Sequence, residues 1–354
     1  MTNSCHKVVL SFIARRYFWL AYVLYFAVCF GFYALREVSV GADTDNYISY
    51  FNRVQEGNYD SRYEPLFSIV TVVSSYLSNS FYVYSALLFF LLSFAYFFSA
   101  NKFSKDIALS VTESVVVFCL LTSFTVFSSW YFTAATNALR HGLSLAFLYV
   151  GLLAIYRRSY MFFVVFYIIS IGFHYSAIML LPFLITMGFL LHRSVKQFAS
   201  VFLAVAILYP IGVNELIVRL ISDISGFGVY EKISDFVGDD ARWVGFQWEF
   251  FGYSLFWLFM LFLIRPFIKC EHLEAYDFLA KLYMFLLMPY MVFGFGGFSN
   301  RYAFIGWLFI PILQSFSVVM LKVGLPYKLL FAALLLMIAL VFQVFRFGYW
   351  DNYF

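Results

Sequence analysis

The chain has 354 residues, of which 64% are hydrophobic, 24% are aromatic and only 12% are charged, and its mean hydropathy is +0.85. A soluble domain is about 45–50% apolar and about 25% charged, so a soluble fold of this chain would expose far more apolar surface than such domains tolerate. The composition therefore excludes a soluble enzyme, a disordered chain, a nucleic-acid-binding protein and a disulfide scaffold. It predicts an all-α, polytopic helical membrane protein with no soluble domain, whose first partner is the lipid bilayer.

Apolar runs in chain order predict about 11–12 transmembrane helices, since a bilayer core of about 30 Å needs about 20 residues of helix. The eleven main runs lie at residues 17–35, 81–99, 108–127, 138–156, 160–174, 176–191, 197–213, 251–265, 282–298, 303–321 and 329–345. The first run is followed by Arg36 and Glu37 instead of small residues, so we expect no cleavable signal peptide.

A shorter apolar run at residues 65–78 decides the predicted sidedness. Arg15 and Arg16 place the N-terminus in the cytoplasm by the positive-inside rule. If the short run enters the membrane and returns, the later basic clusters such as Arg157 and Arg158 also become cytoplasmic. We therefore predict one membrane domain over residues 1–354, with a re-entrant half-helix at 65–78 and outer, periplasmic loops at 36–64 and 214–250.

The basic residues on the outer side of this topology are almost all arginine. Eight of the nine have a guanidinium, the set being Arg36, Arg53, Arg62, Arg140, Arg219, Lys232, Arg242, Arg301 and Arg346. Guanidinium groups bind phosphate and carboxylate bidentately, whereas lysine acts as a point charge. The pattern predicts an anion-binding outer face, with chance in a small sample as the alternative.

Polar residues gather near the outer ends of several predicted spans. The first outer loop contains Arg36, Gly41, Asp43, Tyr47 and Glu64. It is either part of a site or a solvated loop in which the glycine permits a turn.

Asn137, Arg140 and His141 open the run at 138–156 on adjacent faces of one helical turn. An arginine there either binds a ligand or extends its charge to the interface. His174 lies between two apolar runs, where it is either a general base near neutral pH or a hydrogen-bonded structural group.

The segment from Gly294 to Tyr302 combines three glycines with Asn300 and Arg301. It predicts either a backbone turn that approaches a phosphate or close helix packing. The 214–250 loop has acidic and aromatic residues, which suit either sugar contacts or an ordinary amphipathic outer loop. The sequence has no His or Cys spacing typical of a metal site, so we expect no metal and no cofactor.

An ordered series of short motifs resembles the EpsG-like family, which belongs with the Wzy-type polymerases of O-antigen and exopolysaccharide repeat units. The series consists of Arg36, Gly41, Asp43, Thr44, Tyr47 and Phe51, then Tyr63-Glu64-Pro65, then Asn137 and Arg140, then His174, Ser176 and Ala177. Family members usually have glutamine after the motif arginine, where this chain has His141. The C-terminal half matches only through Arg301 and general hydropathy.

The resemblance implies a multi-pass glycosyltransferase of the bacterial inner membrane that acts at its outer face. Such a polymerase transfers the growing glycan from undecaprenyl diphosphate to a new lipid-linked oligosaccharide unit. Undecaprenyl-diphosphate-linked oligosaccharide is then the substrate, and a chain-length regulator and a flippase are further candidate partners. The alternatives are a flippase or transporter of lipid-linked oligosaccharide and an O-antigen ligase.

The resemblance also implies roles for individual residues. The guanidinium groups of Arg140, Arg301 and Arg36 would stabilise the charge of the diphosphate leaving group. His174 is the first choice for the catalytic base, with Asp43 and Glu64 as alternatives. The expected substrate-binding residues are Asn137, His141, Tyr47 and Asn300.

Overall fold

The computed structural model describes residues 23–25, 27, 28, 31, 33, 35–37, 41, 43–59, 63–184, 188, 192–226, 230, 233 and 245–347. Over these residues the chain is helical and contains no strand. The predicted all-α class is therefore confirmed.

The helices are numbered here in chain order. They are α1 (Thr44–Gln55), α2 (Pro65–Leu77), α3 (Phe81–Asp106), α4 (Val111–Val126), α5 (Ser129–Thr136), α6 (Leu139–Ala154), α7 (Tyr160–Phe173), α8 (Val195–Leu208), α9 (Val213–Ser225), α10 (Trp248–Ile264), α11 (Leu273–Phe293), α12 (Ser299–Trp307), α13 (Ile310–Met320) and α14 (Leu325–Phe347).

Six helical stretches among the described residues are long and apolar enough to cross a membrane. They are Phe81–Asp106, Leu139–Arg157, Trp248–Phe267, Cys270–Phe293, Ser299–Met320 and Leu325–Phe342. The pairs α4–α5 and α8–α9 are bent by 74° and 88°, and they raise the number to eight if each pair is one span. A polytopic membrane protein is thus confirmed. The first predicted run, 17–35, lies largely outside the described residues, and the number of crossings and their sidedness stay predictions.

Helix α2 occupies the segment in which we predicted a half-helix. Glu64 is extended, with φ −65° and ψ 150°, because the residue before a proline avoids the helical region. Pro65 then begins the helix with its φ already fixed. The 13 residues of α2 rise about 20 Å, which is short of a bilayer core of about 30 Å. The length is that of a half-helix, and whether α2 is re-entrant stays a prediction.

The chain forms two compact units, one of Met1–Ile178 with Gln314–Phe354 and one of Met179–Leu313. Helices α1–α7 and α14 belong to the first unit, α8–α12 belong to the second, and the boundary falls within α13. The prediction of one membrane domain stays a prediction.

Helix α6 is the centre of the first unit, where it packs against α3, α5 and α7. At Gly142 the backbone of α5 comes so close that an added Cβ would lie 2.7 Å from Cβ of Ala134. On the other side, Oγ of Ser144 and Oγ of Ser170 on α7 are 2.9 Å apart. These contacts fix the first turn of α6, which carries Arg140.

The second unit is held by buried aromatic side chains with hydrogen-bonded polar atoms. The Tyr209 hydroxyl donates to the carbonyl of Gly294 over 2.8 Å, and the Trp307 indole donates to Oγ of Ser254 over 2.8 Å. Such partners satisfy the polar end of a buried aromatic residue.

Candidate active site

Glu64 joins three separate segments of the first unit at one carboxylate. Its Oε2 lies 2.9 Å from Nη1 of Arg140, and its Oε1 lies 2.6 Å from Nδ1 of His174. The Glu64 side chain is 3% exposed, whereas those of Arg140 and His174 are each 28% exposed. A buried anion is therefore paired with two half-exposed basic groups.

The local structure explains why these side chains meet. Glu64 is the extended residue before α2, and Arg140 lies in the first turn of α6. His174 ends α7 in an extended conformation, and its backbone N–H still donates to the carbonyl of Ser170 over 3.0 Å. The three residues thus lie at helix ends, where side chains can reach solvent or substrate.

The environment keeps Glu64 ionised. Burial by itself raises the pKa of this carboxyl, whereas the hydrogen bond and charge of His174 and the charge and hydrogen bond of Arg140 lower it, and the resulting pKa is about 2. The carboxylate is therefore negatively charged at neutral pH and balances the guanidinium of Arg140.

The His174 ring turns its Nδ1 toward the Glu64 carboxylate. An imidazole whose Nδ1–H donates to a carboxylate accepts a proton at Nε2. The centroid of the His141 ring lies 5.3 Å from that of His174, so His141 borders the same site.

Asn137, Asp43 and Tyr47 connect the first outer loop to the start of α6. The backbone N–H of Asp43 donates to Oδ1 of Asn137 over 2.9 Å, and the Tyr47 hydroxyl donates to the Asn137 carbonyl over 3.2 Å. Burial raises the pKa of Tyr47, which therefore stays a neutral donor. Asp43 and Tyr47 thus both contact Asn137, which lies three residues before Arg140, and the predicted roles of these residues stay predictions.

The guanidinium of Arg36 is hydrogen-bonded inside the protein, and the residue is 7% exposed. It donates to the carbonyls of Tyr33 and Thr136, to Oγ of Ser85 over 3.1 Å and to Oγ1 of Thr44 over 3.3 Å. Burial lowers the pKa of Arg36 to about 10, so the group remains charged at neutral pH. These contacts favour a structural function for Arg36, and its predicted contact with the diphosphate stays a prediction.

Asn300 and Arg301 belong to the second unit, in the first turn of α12. The Arg301 guanidinium carbon lies 4.3 Å from the ring centroid of Phe298. Within the described part of the chain, Oδ1 of Asn300 is buried without a hydrogen-bond partner. An added Cβ at Gly296 would lie 2.5 Å from Cγ2 of Ile233, which favours close packing as the reason for that glycine.

The sequence did not reveal a cleft beside Arg140. The cleft has a volume of about 410 Å³ and is lined by Asn46, Ser49, Arg53, Tyr63 and Arg140. The sequence placed Arg53 among the outer basic residues without a role. The spacing of Asn46, Ser49 and Arg53 on a helix was the available signal, since it puts the three on one face.

Three basic residues of the predicted anion-binding outer face are not among the described residues. They are Arg62, Lys232 and Arg242. Within the described ranges, no group of three or more His, Cys, Asp or Glu residues could hold a metal ion.

A family model described as the EpsG family matches residues 19–353. No curated protein and no solved structure gives a significant match. The match includes the C-terminal half, in which the sequence motifs were sparse. The chain therefore belongs to the EpsG family, a family of Wzy-like polymerases.

Proposed function

We propose that the protein polymerises undecaprenyl-diphosphate-linked oligosaccharide units of O-antigen or exopolysaccharide, and that the cluster of Arg140, Glu64 and His174 carries the reaction. Membership of the EpsG family supports a role of the polysaccharide repeat-unit polymerase type in general. The observation that supports this cluster as the site of the reaction is the ionised Glu64 between Arg140 and His174.

The proposed reaction is one displacement at an anomeric carbon. A hydroxyl of the terminal sugar on a new lipid-linked unit attacks the first sugar of the growing glycan. The new C–O bond forms as the C–O bond to the diphosphate breaks, and the diphosphate leaves with the electron pair. The hydroxyl proton passes to Nε2 of His174.

His174 is a better base than the two carboxylates. Both oxygens of Glu64 have basic partners, and a carboxylate whose pKa is about 2 is a weak proton acceptor. Asp43 contacts Asn137 through its backbone N–H, and its carboxylate stays the alternative base. In this proposal Glu64 instead orients the imidazole and stabilises the imidazolium that forms, as a buried carboxylate does beside a catalytic histidine.

Arg140 stabilises charge on the leaving diphosphate. Its Nη1 is bound to Glu64 and its Nε is buried, and the 28% exposure of its side chain leaves the exposed part of the guanidinium for a ligand. Arg301 stays a proposed diphosphate contact, and Asn300 and His141 stay proposed substrate contacts. Arg36, Asn137 and Tyr47 are positioning residues.

The proposal places the reaction at the outer face of the bacterial inner membrane. A flippase would supply the lipid-linked units there, and a chain-length regulator would be a second partner. No nucleic acid takes part.

Deletion of the gene tests the function. The surface glycan of the deletion strain is separated on a gel, and its chain length is read. A polymerase mutant leaves a single repeat unit attached to its acceptor. A mutant without a ligase leaves none, and a mutant without a flippase accumulates lipid-linked units in the cytoplasm. Either of the last two patterns would contradict the proposal.

Complementation then tests the cluster. We expect Arg140→Ala to reproduce the deletion at a normal protein level. Arg157 is exposed and is not a lining residue of the cleft, so Arg157→Ala is the matched control and should restore long chains. Long chains in the Arg140→Ala strain would contradict the assigned role.

A further inference from the structure

Two guanidinium groups line the cleft beside Arg140. The described lining residues are Asn46, Ser49, Arg53, Tyr63 and Arg140, and no acidic residue is among them. Their donors are two guanidinium groups, an amide, a hydroxyl and a phenol, a set that suits an anion with several oxygen atoms.

The rotation of α1 about its axis is fixed by its apolar face. Tyr47, Tyr50, Phe51 and Val54 are buried, and the Phe51 ring stacks on that of Tyr84 with centroids 4.9 Å apart. The polar face, with Asn46, Ser49 and Arg53, lines the cleft. Arg53 is half-buried, so part of its side chain is already held by protein.

Tyr63 contacts both α1 and Arg140. Its ring centroid lies 4.0 Å from that of Tyr50, and the guanidinium carbon of Arg140 lies 5.0 Å from the Tyr63 centroid. A cation over an aromatic ring is held by the negative face of the ring. The lining is therefore ordered before a ligand arrives.

Arg140 alone does not present a net positive charge, because the ionised Glu64 lies 2.9 Å from it. A diphosphate carries more than one negative charge and needs a further cation. Arg53 is the second guanidinium among the described lining residues.

We propose that this cleft is a diphosphate subsite in which Arg53 and Arg140 together bind the phosphate oxygens, with Asn46 and Ser49 as further donors. The inference rests on the proposed function because it names the group that the site holds. It assigns to Arg53 a role that the family membership does not give.

Binding measurements test the subsite without requiring polymerisation. The purified protein in neutral detergent is titrated with inorganic pyrophosphate and with farnesyl diphosphate by calorimetry. Because a charge-assisted hydrogen bond contributes strongly to binding, Arg53→Gln and Arg140→Gln should each weaken both ligands about 10- to 100-fold. Arg53→Lys should lose less, and Arg157→Gln, the matched loss of one exposed positive charge, should bind as the wild type does.

Labelling of the wild type with phenylglyoxal covers the case in which a variant does not fold. We expect pyrophosphate to protect Arg53 from modification, as read by mass spectrometry, and to leave Arg157 unprotected. Tighter binding of farnesyl diphosphate than of pyrophosphate would indicate a lipid-borne diphosphate, and equal binding would indicate the free group; both support the subsite.

Three results would overturn the inference. They are an absence of pyrophosphate binding to the wild type, unchanged binding by Arg53→Gln, and an equal loss in Arg157→Gln. If Arg53→Gln binds normally while the deletion strain shows the polymerase pattern, the subsite is wrong and the proposed function stands. If Arg53→Gln binds weakly while the deletion strain shows another pattern, the subsite stands and the proposed function is wrong.

Discussion

Oε1 of Glu64 lies 2.6 Å from Nδ1 of His174, although 110 positions separate the two residues in the chain. The other oxygen of the same carboxylate binds Arg140. His174, the proposed base, and Arg140, the proposed binding residue for the diphosphate, thus share the buried carboxylate of Glu64. A change at any of the three residues therefore alters the other two. We expect the effects of substitutions at these positions to be strongly non-additive.

Glu64→Gln should remove long-chain glycan while the protein is still made. Glutamine keeps the size of the side chain but loses the charge that balances Arg140 and orients His174. We expect a loss of at least about 100-fold in polymerisation, the lower end for general acid–base catalysis. Gel separation of the glycan and immunoblotting of the protein check this prediction, and chains of normal length would contradict it.

The low pKa of Glu64 predicts acid-sensitive stability. The pKa of this carboxyl is about 2 in the folded protein, below its ordinary value of about 4.3. Its ionised form therefore stabilises the fold above that ordinary value, and the contribution is lost as the pH falls toward 2. The melting temperature in detergent should fall more steeply between about pH 5 and pH 3 in the wild type than in Glu64→Gln. Parallel curves for the two proteins would contradict the assignment.

Two amide substitutions at His174 separate orientation from proton transfer. Asparagine places its amide near the position of Nδ1, so His174→Asn can still donate to Glu64 but has no base. His174→Gln places its amide near the position of Nε2 and loses the bond to Glu64. We expect both to lower the rate by about 10²- to 10⁴-fold, with His174→Asn the more stable to heat. Loss of the acid limb of the pH–rate profile in His174→Asn would identify the base, whereas an unchanged profile would contradict it.

The sequence was sufficient for the fold class because a charge content of 12% and long apolar runs leave few alternatives. It also singled out Glu64, Arg140 and His174 as candidate site residues, since ionisable residues next to apolar runs are rare, and their roles stay predictions. It could not pair them, because the pairing depends on how α2, α6 and α7 pack. For the same reason it could not show that the Arg36 guanidinium binds Ser85 and Thr136, which lie 49 and 100 positions away in the chain.

Arg36→Gln should destabilise the protein more than Arg140→Gln does. The buried Arg36 guanidinium satisfies the carbonyl of Thr136 and the hydroxyls of Ser85 and Thr44. Leaving buried polar groups unpaired costs about 1–3 kcal/mol each. We therefore expect a lower melting temperature in detergent for Arg36→Gln, with unchanged pyrophosphate affinity in the fraction that folds. A stable Arg36→Gln variant with weakened pyrophosphate binding would instead restore Arg36 to the anion site.

Substitution of Gly41 tests whether the turn before α1 positions the site. Its φ is +99°, and an added Cβ would lie 2.9 Å from Oγ1 of Thr44 and 3.1 Å from the carbonyl of Thr136, the groups that Arg36 binds. Gly57 also has a positive φ, +82°, but nothing lies within 4 Å of its Cβ position. Gly57→Ala should therefore lose only about 1 kcal/mol of stability from backbone strain and should keep long glycan chains. Gly41→Ala meets the same strain and two close contacts in addition, so it should melt at a lower temperature and make shorter chains, because Asp43 and Asn137 would be displaced beside Arg140. Equal melting temperatures and chain lengths for the two variants would show that the turn tolerates displacement and does not position the site.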